Sequence, residues 1–271
     1  MKKKVEAALA AARSGDFGPS SDLIALGRDV VPRLGPWLSD PAEDVRRQAV
    51  AVLRSIGHRD AIPLLVKALA DAELEIQMRA SLALYELKDR RAVAKAATDA
   101  LCRSVEGGND SAAALLLLGH GKGEAAKAAL LSMQRRDPPG QSELHEWTPA
   151  VPTPFVATIA LSRLGDPPSR ARLLGAAEGA SPAELQFLLG VLDEVDDAAV
   201  LSSLSRLLGD TREASGGVPS GAAPRRLSDV AVDALVKRLR LKTSFRPNPA
   251  ARYEPAQVDE VRKALSSSVP G

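Results

Sequence analysis

The sequence of 271 residues has a single cysteine, Cys102. That excludes an intramolecular disulfide and any zinc site built on several thiolates, and it points weakly to a reducing compartment. Aromatic residues make up only 3% of the chain, which argues against the aromatic and β-branched strands of a sandwich or barrel. Net charge is also lacking. The 36 basic and 34 acidic residues leave +2, so no global field draws nucleic acid or an anionic surface. No run approaches the ~20 apolar residues of a membrane span. Lys2, Lys3 and Lys4 imitate the start of a leader peptide, but Glu6 and Arg13 interrupt the stretch that a leader needs apolar, and the segment reads as an amphipathic helix. The expectation is a cytoplasmic protein, with a trimmed leader as the alternative.

What is abundant is alanine and leucine, both strong helix formers, and they recur. Asp40 and Asp71 lie 31 residues apart, and Val45/Ile76, Ala49/Ala80, Leu53/Leu84 and Ile56/Leu87 keep that step. Val30, Ala61 and Ala92 form another series, as do Val31, Ile62 and Val93; Leu34 answers Leu65, and Leu38 answers Leu69. Each unit reads as two helices. Val45, Ala49, Val52, Leu53 and Ile56 make one apolar stripe of helical period. Ala61, Ile62, Leu65 and Leu69 make the second. Gly57 is placed to end the first helix, Pro63 suits the start of the second, and Asp40–Pro41 is expected to serve as cap and first turn of the next. One helix pair cannot cover its own stripe, so such pairs stack into arrays.

The run Asp–Pro, Val–Arg–Arg, Ala, Leu, Gly, Ala–Ile–Pro–Leu–Leu, Leu, Asp resembles the HEAT repeat, and the 31-residue step is similar to the variant named after phycobilisome lyases. The resemblance is clear over 29–101 and degenerate over 111–133, 155–179, 181–210 and 225–265. It implies an all-α fold, a right-handed α-α superhelix of about six helix pairs with irregular insertions, as one solenoid over 1–271. The truncated pair VEAALAAAR and SDLIALG would cap its start. Proline- and glycine-rich segments 136–154, 211–226 and 242–254 read as loops.

The sequence assembles no catalytic constellation. His58 and His120 fall in inter-helix turns, and His145 precedes Glu146 as one His–Glu pair, whereas HEAT-like di-iron hydroxylases carry several. No metal ligand set and no cofactor is expected. Cys102 reads as a buried filler. Gly107–Gly108 and Gly216–Gly217 lack a following Lys–Ser/Thr, so no phosphate loop is present. Asp193–Glu194 and Asp196–Asp197 read as solvated caps, and Ser228, after Arg225–Arg226–Leu227, as the N-cap of 229–239. The resemblance assigns Arg46 a structural bond to Asp40 or Asp71, with Gln77 breaking the ladder one unit later.

The remaining candidates are partner-binding residues: Trp37, Lys67 and Lys95 at the groove lined by second helices, and His145, Trp147 and Phe155 around the proline-rich insertion. A rigid array loses little ordering entropy on binding. The leading expectation is therefore a non-enzymatic scaffold or adaptor for a protein or peptide. A bilin-lyase-like or chaperone-like enzyme subunit is the alternative. A HEAT-like nucleic-acid binder is the third reading and is disfavoured by the near-neutral charge.

Overall fold

The computed structural model describes residues 2–145, 148–215 and 224–268. The chain divides into two compact units, Met1–Ser132 and Met133–Gly271. Both are built from helices; one two-residue ladder is the strand pairing named among the described residues.

The first unit opens with α1 (Lys2–Arg13) and α2 (Ser20–Ala25), followed by 3₁₀ turns at Gly27–Arg33 and Trp37–Ser39. Then come α3 (Glu43–Ile56), α4 (Ile62–Ala68), α5 (Leu74–Glu86), α6 (Arg90–Glu106), α7 (Ala112–Leu118) and α8 (Glu124–Gln134). The first helix of each pair packs on its successor, α2 on α3, α3 on α5 and α5 on α7. The second elements pack likewise, with Trp37–Ser39 against α4 and α4 against α6. Two layers result. Between them Val45, Ala49, Leu53, Ile76, Ala80 and Leu84 are wholly buried, as the 31-residue series requires. Each such leucine contributes about 1.5–3 kcal/mol of burial.

Local chemistry sets the element lengths. Pro32 lies within the stretch Gly27–Arg33, where its ring and missing N–H oppose an α-helix. One repeat later Pro63 sits in the first turn of α4, where it is tolerated. Two repeats later the position is Ala94, and α6 runs unbroken for 17 residues. Gly57 ends α3 in the left-handed region at φ 61°. Lys88, 31 residues on, adopts the same φ of 61° after α5, although it carries a side chain that disfavours it.

The expected capping role of Asp40 is corrected. Its carboxylate accepts from the Ala42 N–H at 3.0 Å, and Asp71 does the same with Glu73 at 3.0 Å. These are Asx turns, and the helices begin three residues after each aspartate, at Glu43 and Leu74. Asn109 makes the third such turn, accepting from Ser111 N–H at 3.2 Å, and α7 begins at Ala112.

The second unit contains β1 (Gln141–Ser142) paired antiparallel with β2 (Val151–Pro152), then α9 (Thr153–Arg163), α10 (Pro167–Leu174), α11 (Ala176–Gly179), α12 (Pro182–Gly190), α13 (Ala198–Ser203), α14 (Leu227–Leu239) and α15 (Pro255–Ser268). Helix α10 packs on α9 and α13, and α14 on α12 and α15. Segment 136–154 is thus a loop that closes on a short ladder, with the buried Ser142 and Thr153 hydroxyls 2.9 Å apart. Ser228 is not the N-cap expected of it. Helix α14 starts at Leu227, two residues before the expected 229, Ser228 is buried in its first turn, and the Asp229 carboxylate accepts from the Arg226 N–H at 2.8 Å. Asp229 also accepts from the Tyr253 N–H at 2.9 Å, which ties loop 242–254 to α14. Gly216–Gly217 and the rest of 216–223, half of segment 211–226, lie outside the described residues.

Candidate interaction surface

The arginines of α3 and α5 in the first-helix layer are paired within the chain. Arg46 donates to both oxygens of Asp71, Nε at 2.8 Å and Nη2 at 3.1 Å, and to the Asp40 carbonyl at 3.0 Å. It therefore joins one repeat to the next, as the resemblance implied. Arg47 reaches Glu43, Asp44 and Glu75; Arg79 reaches Glu75; Arg54 reaches Glu86. The hydrogen bond from Arg79 is the main reason the Glu75 carboxyl lies below its ordinary value.

The repeat joint extends in both directions from Arg46. Upstream, Arg13 donates to Asp40 at 2.8 Å. Burial alone would raise the Asp40 pKa, but the Ala42 N–H and Arg13 outweigh it, and the carboxyl lies below its usual value. Downstream, Gln77 does not break the series. Its Nε2 donates to the Asp71 carbonyl at 2.8 Å, as Arg46 does to Asp40, and its Oε1 accepts from Ser104 Oγ at 2.6 Å. Asn109 Nδ2 completes the joint by donating to Ser104 Oγ at 2.8 Å and Ser81 Oγ at 3.0 Å. The sequence concealed this link because the Asx turns step by 31 residues once and by 38 the next time.

The second-helix layer is different. Lys67 on α4 and Lys95 on α6 are exposed, and so is Arg33 in the preceding turn. None of the three meets a carboxylate among the described residues; Lys67 donates to Ser39 Oγ. They lie on the second elements of three successive repeats, Arg33 and Lys95 at equivalent positions and Lys67 three residues beyond the equivalent position, Leu64. Trp37, expected at the edge of the same surface, is wholly buried. The turn Trp37–Ser39 packs on α3, and the indole faces the interior rather than solvent.

The second unit holds the other candidates. His145 is partly exposed, and its backbone N–H donates to Thr148 Oγ1 at 2.9 Å. Phe155 is partly exposed in the first turn of α9. Trp147 and Glu146 lie outside the described residues.

Residues expected to be structural are so placed. His58 sits in its turn, Nδ1 accepting from the Asp60 N–H at 3.2 Å. Cys102 is buried in α6, and burial, reinforced by Glu106 and Asp99, raises its thiol pKa, so little thiolate forms at neutral pH. Asp197 caps α13, accepting from Ala199 N–H at 2.8 Å, whereas Glu194 is buried and is not the solvated cap expected. Among the described residues, no group of three His, Cys, Asp or Glu side chains is arranged to hold a metal ion, and no helix is long and apolar enough to cross a membrane.

Residues 31–118, all within the first unit, match the family model for HEAT repeats. The fold is HEAT-like. A chain from the complex of CpcE and CpcF of phycocyanin lyase from Nostoc sp. PCC7120 is similar in structure at 18% sequence identity, with a TM-score of 0.53 over 98% of this chain and 94% of that one. No curated protein matches. The HEAT-like arrangement accounts for the two layers and for Arg46 as an inter-repeat tie.

Proposed function

We propose that this chain is a protein-binding subunit of a larger assembly, and that its partner docks on the second-helix layer of the first unit. One observation carries the reading. The first-helix layer pairs its arginines with its own carboxylates, whereas Arg33, Lys67 and Lys95, on the second elements of successive repeats, are exposed and meet no described carboxylate. Exposed ion pairs contribute only about 0–1 kcal/mol, so folding does not demand either arrangement. A surface that keeps its cations available suits an acidic partner and speeds its encounter.

Two versions of this role differ in what the assembly does. In one the chain is a non-catalytic adaptor. In the other it is a subunit of a lyase-like or chaperone-like enzyme. The likeness to a chain of a two-protein lyase complex, extending over nearly the whole length of both chains, favours the second.

The test is affinity capture from the native host with the wild type and the double variant Lys67→Glu/Lys95→Glu. A stoichiometric second chain that is lost from the folded variant supports the reading. Capture of the chain alone, or full retention by the variant, contradicts it. Incubating the captured assembly with a bilin and an apo-biliprotein then separates the versions, since the lyase-like subunit yields a covalent adduct and the adaptor does not.

A further inference from the structure

The wholly buried Trp37 raises a separate question, because its indole N–H finds no acceptor among the described residues. A buried donor left unpaired is costly and calls for an explanation. Trp37 lines a cavity of about 420 Å³ between α1 and the turns at Gly27–Arg33 and Trp37–Ser39. Val5, Leu9, Pro32, Pro36 and Trp37 supply its apolar wall. Lys2, Glu6 and Arg33 supply its charge. Glu6 stands 3.8 Å from Lys2, which leaves Arg33 as the lining cation with no carboxylate partner among the described residues. Lys3 and Lys4 are exposed on the same first turn of α1, and no acidic residue lies in that turn.

An apolar pocket with a few polar groups at one edge is the usual form of a small-molecule site. The charge balance at this edge selects the head group. A cationic ligand would meet Lys2 and Arg33, a neutral one would leave Arg33 unused, and an anion would pair with it. We infer that this cavity binds a small amphiphilic monocarboxylate, its apolar body against Val5, Leu9, Pro32 and Pro36, next to the buried Trp37 indole, and its carboxylate at Arg33. Arg33 is shared with the docking surface proposed above, and the two readings are separated by their tests, which alter Lys67 and Lys95 in one and Arg33 and Leu9 in the other.

Trp37 reports on its own cavity. The chain has two tryptophans, so Trp147→Phe leaves Trp37 as the only indole. Decanoate, decanol and decylamine share one chain and differ in the head group. Titration below their micelle concentrations is expected to give saturable, one-site binding of decanoate with a change in Trp37 emission. Decanol should bind about tenfold more weakly, the scale of one charge-assisted contact, and decylamine more weakly still. Arg33→Gln should bring decanoate to the level of decanol, and Leu9→Glu should weaken decanoate further, with circular dichroism confirming that both variants are folded. Equal affinity for decanoate and decanol, no loss in folded Arg33→Gln, or no saturable decanoate binding by calorimetry of the wild type would overturn the inference.

Discussion

The two layers of the first unit are built from the same repeat, yet they treat charge in opposite ways. On the first-helix layer Arg47 touches three carboxylates, Arg54 and Arg79 each take one, and Arg46 is held by Asp71. On the second-helix layer Arg33, Lys67 and Lys95 face solvent. The lesson is that charged residues in a repeat protein should be weighed by what the neighbouring repeat does with them. Composition alone, near neutral, shows neither the sealed layer nor the open one.

The joints between repeats offer a second contrast within the same unit. Arg46–Asp71 is ionic, with side chains only 14% and 6% exposed. The next joint runs through Gln77, Ser104 and Asn109 and carries no formal charge. Both bring a donor to the backbone carbonyl of the aspartate that opens their own repeat. The position therefore requires a hydrogen-bond donor of suitable reach, and charge is an option.

The largest effect expected is in the shared core beneath both layers. Leu53→Ala or Leu84→Ala should cost about 2–5 kcal/mol in urea denaturation, whereas Arg47→Ala on the first-helix layer should cost about 0.5 kcal/mol or less. Next comes the ionic joint. Asp71→Ala strands a mostly buried guanidinium and should cost about 3 kcal/mol, while Gln77→Ala at the neutral joint should cost about 1 kcal/mol. Equal losses at the two sites would erase the distinction. The paired replacement Arg46→Gln/Asp71→Asn, which copies the neutral chemistry, should lie above Asp71→Ala in stability.

Acid offers a smaller probe, applied in the second unit. The Arg170 hydrogen bond, helped by the Val200 and Ala199 N–H groups, holds Asp197 below its ordinary value of 3.8. A carboxyl that is more acidic when folded stabilises the protein above the unfolded value, and that contribution disappears as pH falls through the folded one. Unfolding followed from pH 6 (about two units above ordinary carboxylate values) downward should show a loss of stability below about pH 4 that is reduced in Asp197→Asn. An unchanged acid profile would remove Asp197 from the account. The smallest effect should be a gain. Lys88→Gly relieves the left-handed residue after α5 and should stabilise by about 1 kcal/mol or less in thermal unfolding.

Much of the fold was legible because the 31-residue series encodes burial directly. Val45, Leu53, Ile76 and Leu84 are core positions as their spacing requires, and Gly57 ends α3 in the conformation glycine favours. What escaped was register. Helix α6 runs for 17 residues, so Asn109 fell out of step with Asp71, and Gln77 looked like a gap. Trp37 misled for a different reason. A tryptophan one position from a core leucine suits a rim or a core equally well, and only the packing of the turn Trp37–Ser39 on α3 decides between them. That Lys67 and Lys95 meet no carboxylate among the described residues was equally hidden, since it depends on where acidic side chains of other elements come to lie.

The most direct test of the docking surface is site-specific photo-crosslinking in the native host, with a photoreactive amino acid at position 67 or, as the matched control on the sealed layer, at position 47. The account predicts a discrete adduct with a second protein from position 67 and none from position 47. An adduct from position 47 alone, or from neither position while a partner still co-purifies, would contradict it.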